Sequence, residues 1–208
     1  MKLFITMLIL AFPILEGSGA FEKAMKKGMR DLASAESVEE LTDLAADFGK
    51  IADANPEQWQ PVYYQAFCLV SASFDATTTE KLTLLGKADP IVSQLVNDQL
   101  ENSEVWALKG LYHSAQLMAE MNKAPQISPM IQAAAGRSIE IDAANPRAQF
   151  LLISNKMGKA AYFGQDVASY CAEAQEALKN FDAYDSGFEF GPTWGKEQLR
   201  GLTKSCER

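Results

Sequence analysis

Two stretches of this chain, Ile51-Ala52-Asp53-Ala54-Asn55-Pro56 and Ile141-Asp142-Ala143-Ala144-Asn145-Pro146, repeat one another. A looser copy, Asn102-Ser103-Glu104-Val105-Trp106, falls between them, so Asn55, Asn102 and Asn145 are spaced by 47 and 43 positions. Each copy separates two amphipathic runs. Proline cannot continue the helix before it and restricts the residue it follows, yet its fixed φ suits the first turn of the next helix. A unit recurring at this spacing is the signature of stacked helical repeats.

Reading outward from the first copy, Val38, Leu41, Leu44, Ala45, Phe48, Ile51 and Ala52 share one helical face. Ser37 stands at its start with Glu40 three residues on, the pattern of a capping box. After the turn, Trp59, Val62, Tyr63, Ala66, Phe67 and Val70 make the next face. The same period runs through Trp106–Met118, Ile131–Ile141, Phe150–Tyr162 and Val167–Leu178. The pattern predicts an all-α chain of eight helices in four antiparallel pairs. Their spans are 21–34 with 37–53, 57–74 with 80–100, 103–122 with 127–143, and 146–162 with 165–182. Pro90 is expected to break or kink the fourth helix. No Asn-Gly or Asp-Gly hairpin and no sustained period-two alternation signals a strand.

Trp106 with Gly110, Tyr112 and Ala115 resembles the first helix of a tetratricopeptide repeat (TPR). Trp59 with Tyr63 and Ala66 is a degraded copy, Phe150 with Ser154 another, and the first pair keeps Ala24 and Gly28. The period exceeds that family's by some ten residues. The chain also resembles uncharacterised exported TPR-like proteins of Gram-negative bacteria in its Trp59–Tyr64 segment and its Trp194-Gly195-Lys196-Glu197-Gln198 tail near Cys206. The resemblance implies a right-handed superhelical stack whose first helices line a concave groove. The groove-facing positions would be Gln60, Tyr64 and Phe67, then Ala107, Leu111 and Ser114, then Leu151 and Asn155. That lining is mostly apolar, and no Lys/Asn/Arg clamp for a peptide carboxylate can be assembled from it.

Residues 183–208 differ in kind. The Gly- and aromatic-rich run from Tyr184 to Gly195 leads into a short amphipathic helix from about Pro192 to Cys206. A helical array must cover its last apolar face. Phe188, Phe190, Trp194, Leu199 and Leu202 fit that capping role, the alternative being an aromatic patch that grips a partner.

At the other end, Lys2 precedes an apolar run from Leu3 to Leu15 and a small-residue patch, Ser18-Gly19-Ala20. That is the layout of a secretory signal peptide cut after Ala20, leaving one domain over 21–208 in the periplasm or outside the cell. Nineteen basic against 27 acidic residues give a net charge of −8, which argues against binding nucleic acid or anionic headgroups; no membrane insertion is expected once the leader is removed. Of three cysteines, Cys68 sits in an apolar helical face, so Cys171 and Cys206 are the better pair for a disulfide.

Chemistry is thinly represented. His113 is the single histidine, with no Cys or His at ligand spacing, so no metal site and no cofactor are expected. Acidic pairs such as Asp43/Asp47 and Glu173/Glu176 lie on solvated helix faces, and phosphate-loop, nucleophile-elbow and zinc-protease motifs are missing. The leading expectation is therefore a non-catalytic scaffold that binds another protein or a peptide in its groove. The alternative is a capture protein for a small molecule or peptide held between groove and aromatic tail.

Overall fold

A computed structural model describes residues 17–207, and among them every regular element is helical. The helices are α1 (Gly17–Ser34), α2 (Val38–Ala54), α3 (Trp59–Asp75), α4 (Thr78–Asp98), α5 (Ser103–Ala119), α6 (Ala124–Ile141), α7 (Pro146–Tyr162), α8 (Cys171–Ala183) and α9 (Lys196–Thr203). Residues 1–16 of the expected leader lie outside the described residues, while 17–20 form the first turn of α1.

Each helix from α1 to α9 packs on its neighbour in sequence, α3 also packs on α5, and α5 on α7. These three thus form an inner layer. Tyr63, Phe48, Leu108, Ile131 and Ile153, from the periodic runs identified above, fill the interior between layers together with Leu151. Gly110 marks the closest approach: a Cβ there would stand 2.8 Å from Leu151 Cδ1. That is why a small residue occupies this turn of α5.

The helix starts follow from local chemistry. Ser37 Oγ accepts from the Glu40 amide at 3.2 Å while the Glu40 carboxylate accepts from the Ser37 amide at 3.0 Å, satisfying two otherwise orphaned donors. The Glu36 amide, which contributes most, the Ser37 hydroxyl and the Ser37 amide hold the Glu40 carboxyl below its ordinary pKa. Asn102 and Asn145 cap α5 and α7, each side-chain oxygen accepting from the second and third amides that follow. Asn55 departs from the pattern. It closes α2, its side chain donating to Ile51 O, and α3 begins only at Trp59, with Pro61 in its first turn.

Three further expectations are corrected. Helix α4 runs unbroken through Pro90. The carbonyl that loses its bond belongs to Gly86, and Gly86, Asp89 and Pro90 all face solvent, where water replaces the missing donor. The last pair's second helix starts at Cys171, because Gly164 in the left-handed region (φ 64°) ends α7 and residues 163–170 form a loop with one 3-10 turn. The C-terminal helix starts at Lys196, after Gly195 at φ 103°.

Candidate functional site

The inner face of α3 carries two adjacent tyrosines, and adjacent helical residues point about 100° apart. Tyr64 stacks on Phe48 of α2 with ring centroids 5.2 Å apart, and its hydroxyl donates to the carbonyls of Phe190 and Gly191, both at 3.0 Å. The Tyr63 hydroxyl accepts from Trp194 Nε1 at 2.7 Å. Burial raises both phenol pKa values, so both remain protonated.

The partners belong to one stretch, residues 184–195, which crosses α3 as a strap. Phe188 meets Trp59 edge-on at 5.1 Å, Phe190 meets Phe21 at 6.0 Å, and Trp194 stacks near Phe67 at 6.1 Å. Gln60 Nε2 reaches Glu189 O at 3.4 Å, while Gln60 Oε1 is buried with no hydrogen-bond partner among the described residues. The strap backbone turns through left-handed residues: Gly187 at φ 71°, Phe190 at φ 57° and Gly195 at φ 103°. For the glycines this conformation is nearly free; for Phe190 the Cβ makes it costly, by about 1–2 kcal/mol.

A different chemistry secures the strap's ends. Tyr184 donates to Asp142 Oδ2 at 2.8 Å and lies against Arg147, whose guanidinium carbon is 5.4 Å from the ring centre. Arg147 forks onto Glu104 with Nε and Nη2 at 2.6 and 2.8 Å, and the two residues are only 4 % and 1 % exposed. Burial opposes the Arg147 charge, but the Glu104 carboxylate outweighs it and raises the pKa. Beside this pair, Ser103, Ser138 and Asn145 form a closed set of buried hydrogen bonds. At the far end, Cys171 and Cys206 form a disulfide with Cα atoms 5.7 Å apart, tying the chain after α9 to the start of α8.

A hollow of about 380 Å³ opens beside the strap, between Phe188 and the α4–α5 turn at Asn97, Gln99, Leu100 and Asn102. Phe188 and Leu100 are 42 % and 54 % exposed, which leaves apolar surface at this mouth. A second hollow of about 370 Å³ lies between α6, α7 and α8 and is lined by Ile139, Leu152, Gln149 and Asn180. Exposed Met118, Met121, Met130, Tyr162 and Phe163 lie on the C-terminal turns of α5 and α7 and the N-terminal turns of α6, all at one end of the array.

The expected groove residues separate into two groups. Gln60, Tyr64 and Phe67 are brought together, but under the chain's own strap. Ala107, Leu111, Leu151 and Asn155 are buried between helices instead of facing an open groove, and Ser114 spends its hydroxyl on Gly110 O. Asn155 accepts from Ser128 and Gln132 of α6. His113 is buried, its Nδ1 2.7 Å from Gln116 Oε1, and burial lowers its pKa. The burial of Cys68 pushes its thiol up to about 12. Among the described residues no group of three or more His, Cys, Asp and Glu is placed to hold a metal ion, and no helix is long and apolar enough to cross a membrane.

The Glu104–Arg147 pair escapes a reading of the sequence by motif. Its signal was positional, since each residue follows a capping Asn by two places. Phe21 as a strap contact had no such signal.

No family model and no curated protein matches the chain. Among solved structures it is similar to the HusA haemophore from Porphyromonas gingivalis. The TM-score is 0.78 and the identity 25 %, with 93 % of this chain and 96 % of that one covered.

Proposed function

We propose that the chain is a non-catalytic capture protein for a flat, mostly apolar small molecule of the haem class, acting outside the cytoplasm. The observation that carries this reading is the likeness to a haemophore over almost the whole of both chains. The aromatic seam of α3 supports it: a broad planar ligand gains most from burying apolar area against rings that stack or meet edge-on. The apolar run at residues 3–15 supports export, and the helix pairs fit an irregular TPR-like array.

Groove binding of an extended peptide fits less well, because the α3 part of the inner layer is already covered by residues 184–195. Enzymatic chemistry has little to work with. His113 is neutral, buried and engaged by Gln116, and Cys68 is a buried thiol with a raised pKa.

Titrating the purified protein with haem tests the reading. The expected result is a saturable shift of the main haem absorbance band at a fixed stoichiometry, with quenching of tryptophan emission. A haem spectrum that stays that of free haem at every protein concentration overturns it.

A further inference from the structure

Resting on that capture reading, we infer that the cargo site is the seam between the strap and α3, and that residues 187–191 are a lid that lifts to admit it. Four independent features of the strap converge on this place. Its covering contacts are aromatic edges and faces (Phe188 on Trp59, Phe190 on Phe21), which re-form readily around an inserted flat molecule, together with neutral hydrogen bonds from Tyr64 and Gln60 to its carbonyls, which lifting would exchange for bonds to water or cargo. Its backbone has a left-handed glycine, Gly187, at the start of the segment that would move. Within it Phe190 is held in a conformation that L side chains resist, so the closed strap carries local strain. Beneath it, Gln60 Oε1 is buried without a donor among the described residues, an acceptor that an entering group or water would satisfy.

The hollow at Phe188 and Leu100 supplies the mouth. The ends of the strap do not take part. Tyr184 is fixed through Asp142 and Arg147, and Trp194 is buried and bonded to Tyr63. Opening is thus confined to the middle, and the chain stays tethered on both sides. Of the acids lining the hollow, Glu101 is paired with Arg137 at 2.7 Å and Asp98 repels carboxylates, so a haem would enter by its apolar edge with its propionates left towards solvent.

Stopped-flow mixing of haem with the full-length chain and single variants tests the assignment. Phe190→Ala keeps the unfavourable backbone but removes the ring anchor; association should become roughly fivefold faster. Phe188→Ala, at an exposed position that folding tolerates, should move the rate in the same direction by less. Trp59→Ala removes the floor of the seam and should speed dissociation about tenfold. Phe163→Ser, at the opposite end of the array, should change neither rate. Wild-type association and dissociation rates in the Phe188, Phe190 and Trp59 variants overturn the seam, and a loss confined to Phe163→Ser moves the site to the far end. If the wild-type chain itself leaves haem unbound, the capture reading has failed, which is a different result from a misplaced site.

Discussion

The strap touches the body in two places that are built from different materials. Across α3 and the start of α1 it is held by rings, Trp59, Phe21 and Phe67 against Phe188, Phe190 and Trp194, and by neutral hydrogen bonds with Gln60, Tyr63 and Tyr64. At its root, near α5 and α7, it is held by charge and hydrogen bonds: Tyr184 on Asp142 and Arg147, and Arg147 on a buried Glu104. A buried ion pair is unforgiving, because removing or displacing one partner strands the other charge in a medium that cannot solvate it. Ring contacts lose free energy gradually as they separate. One region is therefore an anchor and the other a surface able to come apart.

The sharpest way to break this contrast is at the anchor. Glu104→Gln should destabilise the fold by about 3–5 kcal/mol in denaturant melts, since Arg147 then keeps its charge without a counter-ion. Replacing both residues by apolar ones of similar volume should cost much less, and an equal cost for single and double replacement would remove the special status given to the pair. Opening the covalent tie comes next. Cys171→Ser releases a loop closed over 35 positions, and the loss of loop-closure entropy is worth about 3–4 kcal/mol in thermal or denaturant unfolding.

Smaller effects sharpen the aromatic side. Trp194→Phe keeps most of the ring but deletes the donor to the buried Tyr63 hydroxyl, an expected loss of about 1–3 kcal/mol. The smallest effect is a pH dependence. His113 has its pKa lowered by burial in the folded state, so the unfolded chain binds that proton more readily. Stability contributed by neutral His113 is complete above its unfolded pKa of about 6.5 and declines as pH falls through and below it. His113→Gln should flatten that part of the stability–pH curve, and an unchanged slope would assign it to other groups.

Much of the frame was legible in sequence because it rests on local rules. The capping box at Ser37 and Glu40, the Asn-Pro turn between helices and the apolar period of each run depend on residues no more than four apart. Pro90 does not break α4 because the effect of a proline depends on which face of the helix it occupies. With Gly86 one turn earlier on the same exposed face and water outside, the lost bond costs little. The surroundings of the groove positions were not legible for a related reason: burial of Leu151 or Asn155 depends on how closely α5, α6 and α7 approach, and the strap's position over α3 depends on contacts more than 120 positions apart in sequence. No local pattern encodes those distances. Phe188, Phe190 and Trp194 were recognisable as covering residues, but the surface they cover was not.

The bridge between Cys171 and Cys206 encloses the whole strap in one covalent ring. The exposed stretch around Asp185, Gly187 and Glu189 is the kind of segment that proteases cleave first. A single cut there produces two polypeptides by sequence but one molecule by covalent connection, with α9 still attached to α8. The strap can thus be severed without being lost.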